Sequence, residues 1–224
     1  DPDELLEPAA FAEYRDAVSD YATAFDAAER EARRRRQSDF TPFERERLER
    51  ARRLVEPSLV AAVDRLCDEL RLLARYHFGW VEADGSSSTA GLGKGLRPAL
   101  AVLSAEAVGA DASTAIPGAV AVQLVHDFSL VHDDIIDGDV ERRHRPTVWA
   151  VFGVDDAVIT GDALHNLAFQ VLLEVADAAP TEERVRATTR LVAATTVMIA
   201  GQAADMAFDD LPEVDLAACL AMEA

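Results

Sequence analysis

The stretch His126-Asp127-Phe128-Ser129-Leu130-Val131-His132-Asp133-Asp134-Ile135-Ile136-Asp137 decides how this chain is read. It lies in a run that is apolar at helical spacing, yet three carboxylates crowd its last turn and a half. Residues four apart on a helix lie one above the other, so Asp133 and Asp137 share a face with Asp134 beside them. Such a cluster repels itself unless something positive sits there. Hard oxygen ligands of this kind suit Mg²⁺, which keeps several waters and bridges to substrate phosphates. The plain alternative is an acidic helix end facing solvent. His126, Leu130, Asp133 and Asp137 form one stripe. His126 therefore belongs to the face of the cluster, whereas His132 falls one residue off it and reads as structural.

Downstream, Arg142-Arg143-His144-Arg145-Pro146-Thr147 follows directly. These arginines either neutralise the carboxylates or hold the far end of a polyanion, a task that planar guanidinium groups suit. A further helix is expected from Gly161-Asp162-Ala163-Leu164 to about Ala176, with Asp162 favoured near its N-terminus by the helix dipole. Another is expected from Glu182 to Met206, where Gln202 and Asp205 face the same way. Upstream, the segment from Asp84 to Gly95 is the clearest loop. It feeds a helix that Pro98 can open, and Lys94 and Arg97 beside a glycine-rich helix start have the ingredients of an anion site. The spacing is not that of a nucleotide-binding P-loop. Leu59, Val63, Leu66, Leu70 and Leu73 predict one core helix from Val55 to Tyr76. Thr41-Pro42 with Glu44 three residues after the cap predicts the start of the helix that leads into it. Before that, the aromatic spacing of Phe11, Tyr14, Tyr21 and Phe25 and a basic run at residues 29–36 predict a charged helical extension. No strand pattern competes, so the chain is expected to be all-α, built of long Ala-rich helices with polar residues pointing inward.

The 224 residues, half of them hydrophobic, describe a globular protein. A net charge of -19 opposes binding to nucleic acid or an anionic membrane surface. Lys94 is the only lysine, a bias that fits either high-GC coding or adaptation to salt. Cys67 and Cys219 fit no metal or redox spacing and read as reduced core thiols of a cytoplasmic protein. No stretch of about 18 apolar residues is read as membrane-spanning, and no signal peptide is visible.

Taken in order, Gly93-Lys94-Gly95-Leu96-Arg97-Pro98, the His126 to Asp137 stretch, Arg142 to Thr147, Gly161-Asp162-Ala163-Leu164 and Gly201-Gln202-Ala203-Ala204-Asp205 resemble the trans-isoprenyl diphosphate synthases, the polyprenyl synthetase family. The resemblance covers about residues 90–210. It implies an isoprenoid-synthase-type helical bundle around a central cavity over residues 46–224, preceded by the extension of residues 1–45. It implies a prenyltransferase of isoprenoid biosynthesis that condenses an allylic prenyl diphosphate with isopentenyl diphosphate, working as a homodimer. Asp133 and Asp137 would bind Mg²⁺ and Arg142 the allylic diphosphate. Lys94, Arg97, His126 and Arg143 would hold isopentenyl diphosphate, and Gln202 and Asp205 would support the allylic group. Phe128 and Ser129 occupy the positions that set product length, a bulky and a small residue that resemble C15–C25 synthases, with C20 the first expectation. Two departures stand out. Gly95 replaces a usual basic residue, and the sequence stops at Ala224, before the family's Lys-Thr pair and second aspartate-rich motif. Asp209-Asp210-Leu211-Pro212-Glu213 comes too early and contains a proline, so it reads as a solvated loop. The sequence is thus expected to hold the N-terminal two-thirds of such an enzyme, incomplete at its C-terminus, with little turnover from residues 1–224 alone. The alternatives are a non-catalytic partner subunit of a complete synthase, or a related Mg²⁺-dependent terpene cyclase.

Overall fold

The computed structural model describes residues 41–88, 95–174, 181–208 and 214–223. The N-terminal extension through residue 40, Lys94 and the segment Asp209–Glu213 lie outside the described residues. The chain divides into two compact units, Asp1–Arg47 and Leu48–Ala224. In the first, the expected capping box is present: the Thr41 backbone N–H and hydroxyl donate to Glu44 Oε2 at 2.7 and 2.8 Å, and the Glu44 N–H donates back to Thr41 Oγ1. It opens helix α1, Pro42–Val63.

The second unit is all-α apart from a minute hairpin. After α1 come α2 (Asp68–His77), α3 (Leu96–Ala107), a 3₁₀ turn at Ala112–Ala115 and α4 (Ile116–Ile136). Strands β1 (Glu141–Arg142) and β2 (Arg145–Pro146) precede α5 (Val148–Phe152), α6 (Val154–Leu173), α7 (Glu182–Phe208) and α8 (Leu216–Glu223). The core is made where α3 and α6 pack on α4, with α2 joining through α6 and buried residues of α1 completing it. Leu59, Val102, Leu124, Val131, Leu164 and Leu167 are among its fully buried branched side chains. Ala99, Ala119, Ala121, Ala157 and Ala168 have no exposed surface. Small residues at the contacts let the helix backbones approach closely, which is why an Ala-rich sequence can still bury its long polar-bearing helix.

Several expectations are corrected. The single helix from Val55 to Tyr76 is two, because the chain turns between Val63 and Asp68. Arg75 clamps the turn by donating from Nε and Nη2 to the two carboxylate oxygens of Asp64, each at 2.8 Å, and Arg71 reaches the carbonyls of Asp64 and Leu66. Helix α6 starts at Val154, so Gly161 is internal and Asp162 is not at a helix N-terminus. Cys67 is exposed in the turn before α2 and Cys219 is only partly buried, so neither is a core thiol.

Against the expectation that no stretch is read as membrane-spanning, two runs are long and apolar enough on length and composition alone. The run Ala112–Ile136 and helix α7 reach mean hydropathies of 1.3 and 1.4 over 18 residues. Half of the first window is buried inside the protein, as befits a core helix. Helix α7 buries only Thr195 and exposes Val185, Val192, Val197, Met198, Ile199 and Met206.

Candidate functional site

Helix α4 carries the chemistry and divides it between two cavities. The first, about 450 Å³, is walled by Arg52 and Glu56 of α1, Gly95 and Arg97 at the start of α3, and His126 of α4, with Arg143 from the hairpin. The local backbone explains how these groups are aimed. Gly95 takes φ +62, the left-handed conformation that glycine adopts without steric cost, and turns the chain into α3. Arg143 and His144 form the two-residue loop between β1 and β2 at φ 55 and 64. Both central residues of a type I′ hairpin need positive φ, a conformation unusual for residues other than glycine. Burial is the main force on the His126 imidazole. With Arg97 and Arg143 adding to it against Asp127, it pushes the ring down to about 4. His126 is therefore neutral at pH 7, and the positive charge of this wall comes from the arginines.

The second cavity, about 250 Å³, lies between α4 and α7. Asp133 and Gln202 share its wall with Phe128, Ser129, Ile136 and Met198. The carboxyl of Asp133 is pushed up, first by burial and then by Asp137, with Asp134 adding and Arg142 opposing. Asp137 is exposed at the C-terminal cap of α4. Asp134 is buried, and Arg142 Nε donates to it. The same guanidinium lies 3.7 Å from Asp139. Of the two roles open to the arginine pair, Arg142 thus meets the neutralising one at Asp134. Among the described residues, neither Asp133 nor Asp137 has an ion-pair partner.

A metal was expected at Asp133 and Asp137. Among the described residues, no group of three or more His, Cys, Asp or Glu side chains is arranged to hold an ion. Two carboxylates one turn apart, with no ion-pair partner among the described residues, are still a donor set that suits Mg²⁺, whose remaining positions waters and phosphates fill. The residues fit part of such a site.

Other expected residues divide. Phe128 is buried with its ring 4.4 Å from that of His165. The Ser129 hydroxyl donates to the His126 carbonyl at 2.8 Å. Asp205 is exposed and lines an adjoining cleft with Gly201 and Met222 that shares Gln202 and Met198 with the Asp133 cavity, though Asp133 itself is not in its wall. His132, expected to be structural, places Nε2 3.1 Å from the Val158 carbonyl oxygen and also lines the second cavity beside Asp133. Three contributors were not foreseen. His77, at the end of α2, places Nε2 3.1 Å from Asp127 Oδ1, and Gln123 Nε2 donates to Asp127 Oδ2, so a buried polar cluster braces the underside of the His126 turn. The spacing of four between Gln123 and Asp127 was visible, but nothing local signals His77. Arg52 had no signal at all, being one arginine among many on a charged helix.

Residues 80–223 match the sequence pattern of the family described as Polyprenyl synthetase. The chain is 47% identical over 172 residues to the (2E,6E)-farnesyl diphosphate synthase of Mycobacterium tuberculosis, covering 77% of this chain and 47% of that protein. It is 42% identical over 177 residues to the same organism's geranylgeranyl diphosphate synthase, covering 79% and 50%. The crystal structure of a polyprenyl synthetase from Streptomyces coelicolor A3(2) superposes with a TM-score of 0.74 at 51% identity, over 79% of this chain and 51% of that one. The geranylgeranyl pyrophosphate synthetase of Geoglobus acetivorans does so at 0.65 and 36% identity, over 78% and 53%. The chain spans about half the length of the curated relatives it matches.

Proposed function

Since this chain belongs to the polyprenyl synthetase family, we propose that the protein is a prenyltransferase that joins an allylic prenyl diphosphate to isopentenyl diphosphate. One observation carries the reading: α4 presents His126 to an arginine-walled cavity and, two turns on, Asp133 to an apolar one. Two diphosphates need two anchors, and a prenyl chain needs an apolar slot beside one of them.

In this reading Arg97 and Arg143, with Lys94 and the neutral His126, hold isopentenyl diphosphate. Asp133 and Asp137 would hold Mg²⁺, which when bound supplies positive charge for the leaving diphosphate. As the allylic C–O bond breaks, its electron pair moves onto the diphosphate, and a fixed guanidinium such as that of Arg142 stabilises the charge that develops there. The isopentenyl double bond then attacks the allylic carbon, and a proton leaves to the departed diphosphate. Phe128, Ile136 and Met198 give the slot an apolar lining for the prenyl chain. Gln202 offers a polar group within the same slot, and Asp205 is assigned an outer supporting role.

Product length follows from Phe128, which fills the slot beside the small Ser129; a C15–C25 product, with C20 foremost, fits that arrangement and the farnesyl and geranylgeranyl names of the relatives. A homodimer, a cytoplasmic location and the division into residues 1–45 and 46–224 complete the proposal.

The test is incubation of the native protein with an allylic diphosphate, labelled isopentenyl diphosphate and Mg²⁺. A labelled prenyl diphosphate that disappears in Asp133→Ala is expected. A hydrocarbon formed from the allylic substrate alone would instead identify a cyclase. An effect seen only as a change in the rate of an added complete synthase would identify a partner subunit.

A further inference from the structure

We infer that Arg52, on α1, is a diphosphate-binding residue of the arginine-walled cavity; this rests on reading that cavity as the isopentenyl diphosphate site. Three observations converge on it. The aliphatic stem of Arg52 lies over Gly95: a Cβ built there would stand 3.6 Å from the Cβ, Cγ and Cδ atoms of Arg52. The stem therefore packs on the turn into α3 and carries its guanidinium to the cavity that Arg97 and Arg143 also line. A long charged side chain held by its methylenes in this way is preorganised for a ligand.

The second observation is a missing partner. Arg52 Nε is buried and has no hydrogen-bond acceptor among the described residues. A buried donor left unsatisfied is costly, more so on a charged group. The carboxylate on the same wall, Glu56, lies 3.7 Å from Nε, beyond hydrogen-bond reach. It balances charge without occupying the donor.

The third is the sign of the cavity. Arg52, Arg97 and Arg143 face one carboxylate, and His126 is held neutral by its surroundings. The cavity is left net positive, which matches a multiply charged anion with several acceptor oxygens. Guanidinium forks meet phosphate oxygens in pairs. A diphosphate monoester is long enough to use donors from α1, α3 and the hairpin at once. Arg52 thus brings to the site a cation from a helix that the loop and hairpin motifs do not include.

Calorimetric titration of the protein with isopentenyl diphosphate, without an allylic substrate, tests this. The variants are Arg52→Met, which keeps the stem over Gly95 and removes the charge, Arg52→Lys and Arg97→Ala. Circular dichroism confirms native helicity in each. Arg52→Met is expected to weaken binding by about 10- to 100-fold, and Arg52→Lys to recover part of the loss. In turnover, the KM for isopentenyl diphosphate should rise while that for the allylic diphosphate stays within twofold. Wild-type affinity in Arg52→Met beside a loss in Arg97→Ala overturns the role of Arg52 and leaves the site in place. Wild-type affinity in both overturns the reading of the cavity as a diphosphate site.

Discussion

The imidazole of His132 occupies the space that a side chain on Gly161 would need: a Cβ built at Gly161 would stand 2.2 Å from His132 Nε2. This packs the glycine of the Gly161-Asp162 motif directly against a ring carried by α4. Gly161 has ordinary helical backbone geometry, so it is the ring and not the dihedral angles that demands glycine here. Gly161→Ala is expected to destabilise the protein by about 1–3 kcal/mol, the usual cost of overpacking. Denaturant unfolding measures it, and the double variant with His132→Ala should show a coupling energy that recovers part of the loss. Simple additivity of the two changes would refute the contact.

The three aspartates at the end of α4 should behave differently. Asp134 is buried under Arg142, so Asp134→Asn is expected to cost stability, about 1–3 kcal/mol once the partial exposure of Arg142 is allowed for. Asp133→Asn and Asp137→Asn remove like charge from a crowded turn and should leave the melting temperature unchanged or raise it. Their cost falls on turnover, on the order of 10²–10³-fold. Melting curves and Mg²⁺-dependent rates on the same preparations separate the two classes, and equal behaviour of all three would contradict the division.

His126 makes a pH prediction with a definite sign. In an unfolded chain its imidazole takes a proton near 6.5, whereas in the fold burial and the neighbouring arginines delay this to about 4. Between those values the unfolded state binds more protons. The stability owed to this group is therefore complete above pH 6.5 and is lost as the pH falls toward 4. His126→Gln should flatten the fall in melting temperature over that window. His165 is shifted in the same direction by burial and stays in place in the variant, so the difference isolates His126. Parallel melting profiles for the two proteins would remove the basis for a neutral, desolvated His126.

Phe128 caps the apolar cavity with its ring against His165. Phe128→Ala opens that space, and products longer by one or more five-carbon units are expected from chromatography of the dephosphorylated alcohols. The same variant should lose about 3–5 kcal/mol of stability, as a buried Phe→Ala change does. An unchanged product in a folded variant would move the length control elsewhere.

Much of this protein was legible in its sequence because helical periodicity and local motifs are short-range. The all-α class, the capping box at Thr41 and Glu44, and helix α7 within two residues of its C-terminal end all follow from spacings of three and four, whereas the single stripe expected on α4 is split, with His126 and Asp133 lining different cavities. What escaped were contacts that depend on where the chain returns. The break at Asp64 was hidden because its clamp, Arg75, lies eleven residues on in the next helix. Gly161 looked like a helix start because glycine commonly marks helix boundaries, while its real reason is a ring on another helix.

The sequence by itself determined which residues carry charge and which helix carries the carboxylates, since both are properties of local pattern. Only the tertiary structure decided how that charge is used. Asp134 is matched to Arg142 while Asp133 and Asp137 have no ion-pair partner among the described residues, His126 is neutral because burial and two arginines make its protonation costly, and Arg52 lies over Gly95 within reach of the cavity that His126 lines. The physical reason is that burial and electrostatics depend on distances through space, and those are set when α1, α3 and the hairpin pack around α4.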